Sequence, residues 1–190
     1  RIAAVSGKNI TLTIDINTQS IAYHQLNEAI KKNNAKAGSI VVIEPKSGDI
    51  LGLVNYPSFD PSNRKNLVDM SRLRNRATID IFEPGSVLKP LAMSAILESE
   101  YLPKISKIDT SPGWIEFEGF KTSDFKDYGE LSLSQIISLS SNVGMVKLCQ
   151  YQDIEHLINY YKKFGIGRYP TSIMLPAREG FLPHSSQFTL

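Results

Sequence analysis

Residues 75–99, NRATIDIFEPGSVLKPLAMSAILES, place a serine and a lysine three residues apart at the start of an apolar run. Pro90 is tolerated only in the first turn of a helix, so the helix must begin close to Ser86. Ser86 and Lys89 then share one face of that turn. Burial disfavours an ammonium ion, so such a lysine has a lowered pKa and can take the proton of a serine nucleophile. The pattern predicts acyl transfer on Ser86 with Lys89 as general base.

The start of this helix also suits a developing oxyanion. Its backbone N–H groups have no partner within the helix, and the positive end of the helix dipole lies there. Spacing alone is close to chance, since Ser-x-x-Lys also occurs at Ser62 to Lys65 and Ser123 to Lys126. Both of those lie in polar, loop-like surroundings, so context selects Ser86. The alternative is a capping serine followed by a lysine whose stem covers apolar surface.

Ser140-Ser141-Asn142 is the only Ser-x-Asn in the chain. It separates two apolar stretches, LSLSQIISLS and VGMVKLCQY, that are typical of helices. A junction between helices can project polar side chains into a cleft. Helix capping would also explain serine and asparagine at this place.

The elements upstream of Ser86 are a strand, a helix and a hairpin. Residues 10–15 alternate apolar and polar side chains with the period of a half-buried strand. Asn17 and Thr18 are candidate caps for the helix that follows. Its predicted apolar positions are Ala22, Leu26, Ala29 and Ile30. Residues 39–57 predict a hairpin with a glycine at positive φ in its turn.

Downstream of Ser86 the pattern is mainly helical. Helices are predicted over residues 86–99 and between Asp153 and Gly165, and a small hairpin over residues 114–121. Residues 67–81 favour no particular structure. The fold class is therefore α+β, an antiparallel sheet with a mostly helical subdomain.

Composition excludes several classes of function. A formal net charge of +2 gives no electrostatic footprint for nucleic acid. The single cysteine, Cys149, lies in an apolar stretch and reads as a buried, inert thiol. Because His24, His156 and His184 are scattered, we expect no metal site. No run of about 18 apolar residues and no signal segment occurs.

The two motifs together resemble the serine acyl-transferases of the penicillin-binding protein and β-lactamase superfamily, whose signatures are Ser-x-x-Lys, Ser-x-Asn and Lys-Thr-Gly. Nearly the whole chain resembles the transpeptidase domain of class B penicillin-binding proteins. FEPGS and SSNVG are most similar to the septal, FtsI type. The blocks that carry the likeness are TIDINTQSIAYHQLNEAI, GSIVVIEPKSGDILGLVNYPSFDP, RNRATIDIFEPGSVLKP, SSNVGMVKL and KFGIGRYP.

The resemblance implies a peptidoglycan D,D-transpeptidase without a cofactor. Ser86 would be acylated by the D-Ala-D-Ala end of a stem peptide, with Lys89 as its base. Ser140 would relay a proton to the leaving amine, and Asn142 would hydrogen-bond the substrate amide. An amine of a neighbouring stem peptide would then attack the acyl-enzyme. Penicillins would acylate the same serine.

The resemblance also implies a cellular setting. The parent protein would cross the cell membrane once, with this domain on the periplasmic or extracytoplasmic side. Its partners would be lipid II-derived stem peptides, β-lactam antibiotics and division-complex membrane proteins, including a septal glycosyltransferase, and not nucleic acid.

The third signature is missing from the sequence. No Lys-Thr-Gly follows Asn142, and Lys121-Thr122-Ser123 comes too early and reads as a surface loop. We therefore expect residues 1–190 to be a partial transpeptidase domain, inactive alone. The expected missing parts are the membrane anchor, an N-terminal module and the C-terminal strands with Lys-Thr-Gly.

Two alternatives remain open. A β-lactamase would need a residue that activates water, and Glu155 to Asn159, EHLIN, superficially resembles such an element. It follows Asn142 too soon and fits one face of an amphipathic helix instead. A penicillin sensor would be acylated without transfer to an amine, and a division scaffold would not be acylated.

Overall fold

The computed structural model describes residues 5–63, 69–99, 107–117, 119–170 and 176–184. The chain divides into two compact units. The first contains residues 1–80 and 173–178, and the second contains residues 81–172 and 179–190. Helices accompany antiparallel strand pairs in both, so the predicted α+β class is confirmed.

The first unit is a helix packed on a hairpin. The hairpin predicted over residues 39–57 is confirmed, with Gly38 opposite Tyr56 and Gly48 at φ 78° in its turn. One face of the hairpin packs on the helix through Ala22, Leu26, Ile30 and Val54. The elements of this unit are α1 (Ile16–Asn33), β1 (Gly38–Ile43), β2 (Ile50–Tyr56), a 3₁₀ turn (Met70–Leu73) and α2 (Arg76–Ile79).

Helix α1 begins earlier than predicted. Its N-cap is Asp15, whose carboxylate accepts a hydrogen bond from the Thr18 backbone N–H at 2.7 Å. Asn17 and Thr18 are therefore inside the helix, so their assignment as caps was wrong. Ala29 is exposed, contrary to prediction. Aspartate caps a helix as well as asparagine does, and here Asp15 has the extended backbone of an N-cap.

The strand predicted over residues 10–15 does not form. Ile10 and Leu12 are 75% and 70% exposed. The hydrogen bonds of this segment to β2 lie near its end, where the Asp15 N–H donates to the Leu51 carbonyl at 2.9 Å and the Thr13 hydroxyl donates to the Ile50 carbonyl. Alternating apolar and polar side chains show that a segment could bury one face. A strand also needs backbone hydrogen bonds to a neighbouring strand along its length, and the alternation does not supply that neighbour.

The second unit contains the serine, the lysine and the Ser-Ser-Asn sequence. The downstream helices and the small hairpin are confirmed, although the helix at Ser86 opens with a 3₁₀ turn. Lys121-Thr122-Ser123 belongs to a strand, so its assignment to a loop was wrong; Thr122 pairs with Ile115 across the hairpin. The elements are a 3₁₀ turn (Gly85–Leu88), α3 (Lys89–Glu98), β3 (Lys107–Asp109), β4 (Trp114–Phe117), β5 (Phe120–Ser123), β6 (Glu130–Ser132), α4 (Leu133–Ser138), α5 (Asn142–Cys149) and α6 (Ile154–Lys163).

The core of the second unit joins α3, α4 and α5 to the antiparallel pair β3–β6. Helix α3 is largely buried, as its apolar sequence predicts. The α4 N-terminus carries a capping box in which Ser132 and Gln135 satisfy each other's backbone N–H groups. The core side chains are Ala92, Met93, Ile96, Ile108, Leu131, Ile136, Met145 and Leu148.

Within the described ranges, no helix has both the length and the apolar character needed to cross a bilayer. Among the same residues, no three His, Cys, Asp or Glu side chains are grouped so that they would hold a metal ion.

Candidate active site

Ser86 lies in the 3₁₀ turn that leads into α3. Gly85 has φ +62°, a conformation that residues with a side chain rarely adopt, and it delivers the chain into this turn. The Lys89 backbone N–H donates to the Ser86 carbonyl, which closes the turn. The residue at the capping position is Pro84, so Ser86 is not the cap. Its exposed hydroxyl has no hydrogen-bond partner among the described residues and is accessible to an incoming group.

Lys89 contacts the Ser-Ser-Asn sequence. Its Nζ donates to the Ser140 carbonyl oxygen at 2.6 Å, to Ser140 Oγ at 3.1 Å and to Asn142 Oδ1 at 2.6 Å. Three acceptors match the three N–H bonds of an ammonium group. Within the described residues, no hydrogen bond joins Lys89 to the Ser86 hydroxyl, although the two residues share one turn. The structure thus unites Lys89, Ser140 and Asn142, with Ser86 beside them on the turn.

The environment lowers the pKa of the Lys89 ammonium below its ordinary value. Burial is the larger cause, because the half-buried charge loses hydration. The Asp124 carboxylate acts in the opposite direction and raises the pKa of Lys89 in part. The net shift leaves more neutral amine near physiological pH than a surface lysine would have.

Ser140, Ser141 and Asn142 form the junction between α4 and α5. Ser140 has φ +53°, a left-handed conformation that turns the chain between the two helices. Buried Ser141 caps α5, since its Oγ accepts from the Gly144 N–H at 2.9 Å. The capping explanation thus holds for Ser141, while Ser140 and Asn142 are exposed on either side of it.

The Asn142 amide is oriented by contacts at both ends. Its Oδ1 accepts from Lys89, and its Nδ2 donates to the Ser123 carbonyl at 2.9 Å. The second N–H of Nδ2 and the second lone pair of Oδ1 remain for a ligand.

Asp124 is a site residue that the sequence did not indicate. It follows strand β5, and its carboxylate accepts from the Ser141 hydroxyl at 2.6 Å and from the backbone N–H groups of Asn142 and Val143. These contacts exist because the β4–β5 hairpin folds against the α4–α5 junction. No spacing rule predicts a contact of this kind, and an aspartate after a strand is a common residue.

Among the described residues, the other two Ser-x-x-Lys sequences show no contacts like those of Lys89. The Nζ of Lys126 lies 5.6 Å from the centre of the Tyr128 ring and is exposed. The Ser62 hydroxyl donates to Asp60, and Lys65 lies outside the described residues. Of the two Ser-x-x-Lys lysines that the structure describes, Lys89 is the one whose side chain contacts the Ser-Ser-Asn sequence.

A cavity of about 450 Å³ adjoins Lys89. Apolar side chains of α3, α5 and α6 line most of it, including Ala92, Met145 and Leu157. Burial raises the pKa of the Cys149 thiol in its wall to about 11, so that thiol stays protonated at neutral pH. The prediction of an inert cysteine agrees with this shift.

The arrangement is suited to acyl transfer through a serine. It combines an accessible hydroxyl, an amine with a lowered pKa on the same turn, a second hydroxyl bonded to that amine, and an oriented amide. The helix that carries Glu155 is amphipathic, as predicted, and Asp153 caps it. The residues that line the cavity do not include Glu155.

Comparison with known proteins agrees with this chemistry. The family described as the penicillin binding protein transpeptidase domain matches residues 38–188. Peptidoglycan D,D-transpeptidase FtsI of Buchnera aphidicola (subspecies Schizaphis graminum) is 36% identical over 185 residues, which are 97% of this chain and 32% of the relative. FtsI of Escherichia coli is 32% identical over 181 residues, 95% of this chain and 30% of the relative.

A solved structure shows the same fold. The apo structure of the TP domain of Burkholderia pseudomallei penicillin-binding protein 3 has a TM-score of 0.81 and 31% identity, covering 97% of this chain and 51% of that one. The chain spans about a third of the length of the curated relatives it matches. With a family match over most of its length, the chain belongs to the penicillin binding protein transpeptidase domain family.

Proposed function

We propose that this chain carries the acylation site of a peptidoglycan D,D-transpeptidase. The observation that supports it most is the triad of hydrogen bonds from Lys89 Nζ to Ser140 and Asn142, one helical turn from an exposed Ser86. A lysine with a lowered pKa beside an accessible serine is the combination that a serine acyl-transferase needs.

In the first proposed step, Ser86 Oγ attacks the carbonyl carbon of the D-Ala-D-Ala peptide bond. Neutral Lys89 takes the hydroxyl proton as the C–O bond forms. The peptide C–N bond then breaks, and Ser140, bonded to Lys89, passes the proton to the departing D-alanine amine. Asn142 donates its remaining N–H to the substrate amide. The product is an acyl ester on Ser86.

In the second step, the amine of a neighbouring stem peptide attacks the ester. Its nitrogen forms the new amide bond as the Ser86 oxygen leaves and recovers its proton. This ping-pong sequence needs a base that takes the proton of the Ser86 hydroxyl in the first step and gives it back in the second. A β-lactam carbonyl enters the same first step and leaves an ester that blocks Ser86.

We further propose that residues 1–190 are part of a transpeptidase domain of the septal type, in a protein anchored once in the cell membrane. Support comes from the FtsI relatives and from the share of their length that the chain spans. The remaining groups of the site, including a Lys-Thr-Gly strand, would come from other parts of that protein. Division-complex membrane proteins, among them a septal glycosyltransferase, are its proposed partners.

The test is turnover of a donor peptide ending in D-Ala-D-Ala by the native-length protein, with and without an amine acceptor. We expect release of D-alanine and, with the acceptor, a new amide product, both lost in Ser86→Ala. The exposed neighbour variant Val87→Ala, from the same 3₁₀ turn, is the control that keeps the hydroxyl and should remain active.

Other outcomes identify the rival functions and refute this one. An ester on Ser86 without transfer to the amine would indicate a penicillin sensor. Rapid hydrolysis of penicillin with no donor turnover would indicate a β-lactamase. Neither acylation nor turnover would indicate a scaffold.

A further inference from the structure

We propose that Asp124 is a positioning residue, which holds the first turn of α5 so that Ser140 and Asn142 meet the Lys89 amine. This inference rests on the function proposed above, since it assigns a role in that reaction. Asp124 itself makes no hydrogen bond to Lys89 or Ser86 among the described residues. Its action is therefore through the α4–α5 junction and through its charge.

The two carboxylate oxygens of Asp124 accept hydrogen bonds from different donors. Oδ2 accepts from the Ser141 hydroxyl at 2.6 Å. Oδ1 accepts from the backbone N–H of Asn142 and, at 3.1 Å, from that of Val143. These two N–H groups are at the start of α5, where the helix itself offers no acceptor. Asp124 thus provides from another element the anionic cap that a helix N-terminus favours.

The contact with Ser141 orients a second bond. Because the Ser141 hydroxyl donates to Asp124, its lone pair points to the Gly144 N–H, which it caps at 2.9 Å. Ser141 lies between the two residues that reach Lys89, so fixing Ser141 fixes both neighbours. Ser140 has φ +53°, which is unfavourable for a residue with a side chain and persists only where the surroundings hold it.

Asp124 is itself held by the end of the β4–β5 hairpin. Its backbone N–H donates to the Gly113 carbonyl at 2.9 Å. Gly113 has φ +85°, and a Cβ there would lie 2.8 Å from the backbone nitrogen of Asp127, so the close approach of the turn before β4 to the segment after β5 requires glycine. The adjacent Ser123 carbonyl accepts from Asn142 Nδ2 at 2.9 Å. The hairpin end therefore fixes both the backbone of α5 and the Asn142 amide.

The charge of Asp124 has a measurable effect on the pKa of Lys89. Asp153, Tyr161 and Cys149 line the cavity next to Lys89, but Asp124 is the charged group that raises the pKa of Lys89. Without that carboxylate, burial alone acts, so the pKa of Lys89 should fall further. Since acylation requires the neutral amine, its rate rises as pH passes through this pKa. The rise should then occur at a lower pH.

The test compares Asp124→Asn, Ser141→Ala and the wild type in the native-length protein. The rate of Ser86 acylation by benzylpenicillin is followed from pH 5 to pH 10. Asp124→Asn keeps the size of the side chain and removes its charge, so we expect a lower plateau and a midpoint at lower pH. Ser141→Ala keeps the charge of Asp124 and removes the hydroxyl that bonds to both Asp124 and the Gly144 N–H, so we expect a lower plateau with an unchanged midpoint.

Misplacement of reacting groups by about 1 Å costs up to about 10²-fold, so we expect plateau losses of about 10- to 100-fold. The control Glu116→Gln removes an exposed charge from strand β4 of the same hairpin and should leave both plateau and midpoint unchanged. Titration of the Lys89 side-chain ¹³Cε signal by NMR measures the same pKa shift without reference to activity.

The outcomes separate this inference from the function on which it rests. A wild type that is acylated, with Asp124→Asn matching it in plateau and midpoint, would overturn the positioning role alone. A plateau loss without any shift in the rate profile or in the Lys89 titration would overturn the electrostatic part. A wild type that benzylpenicillin does not acylate would overturn both proposals.

Discussion

Replacement of Lys89 by alanine is expected to slow acylation of Ser86 by about 10²–10⁴-fold, the usual contribution of a positioned general base. The variant loses the amine that takes the serine proton and also the three hydrogen bonds to Ser140 and Asn142. The rate constant for acylation by benzylpenicillin, measured across pH, provides the test. The rise of the rate with pH that Lys89 causes should disappear together with the amine.

A second variant, Lys89→Arg, separates the charge of Lys89 from its role as a base, and Lys107→Ala is the control. Lys89→Arg keeps a positive charge, but a guanidinium stays protonated in proteins, so it cannot act as a base near neutral pH. We expect it to be nearly as slow as Lys89→Ala. Lys107→Ala removes an exposed lysine of the same unit and should leave the rate unchanged. Wild-type rates in Lys89→Arg would mean that charge, and not proton transfer, is what Lys89 supplies.

Replacement of Ile136 by alanine should lower the free energy of unfolding by about 2–5 kcal/mol. Ile136 is 0% exposed and belongs to the core that joins α4 to α3 and α5. The side chain also fills the space beside Gly144, where an added Cβ would lie 2.8 Å from Ile136 Cγ1. Truncation therefore leaves a cavity directly behind the α4–α5 junction. Chemical denaturation of the variant and the wild type measures the loss.

Leu139 provides the matched control, because it follows the same helix and is 43% exposed. Leu139→Ala should change the free energy of unfolding by no more than about 0.5 kcal/mol. If the two substitutions had equal effects, the α4–α5 core would not have the packing described here. Ile136→Ala should also slow acylation, since it loosens the support of Ser140 and Asn142.

Local features of the chain were predictable where one rule dominated. Pro90 limits the start of its helix to one turn, which placed Ser86 and Lys89 together. Gly48 and the flanking β-branched runs defined the β1–β2 hairpin. Residues 10–15 have the regular alternation of a strand, but the predicted strand does not form, because alternation does not specify a pairing partner. Asp15 was overlooked as a cap because two later residues were also suitable.

The long-range part of the site was beyond local rules. Lys89 and Ser140 are 51 residues apart, and no spacing within either motif indicates that they touch. Their association was expected only through the resemblance to a known family. Asp124 had no such indication, because its role depends on how the β4–β5 hairpin folds over α5. Contacts of this kind follow from tertiary packing, which a single sequence does not display.

The most direct test of the central claim is the intact mass of the native-length protein before and after benzylpenicillin, for the wild type and for Ser86→Ala. We predict one penicillin adduct on the wild type, located on the peptide that contains Ser86, and none on the variant. Because Cys149 remains protonated at neutral pH, it should carry no adduct. An adduct that persists in Ser86→Ala, or its absence from the wild type, would contradict the assignment of Ser86 as the nucleophile.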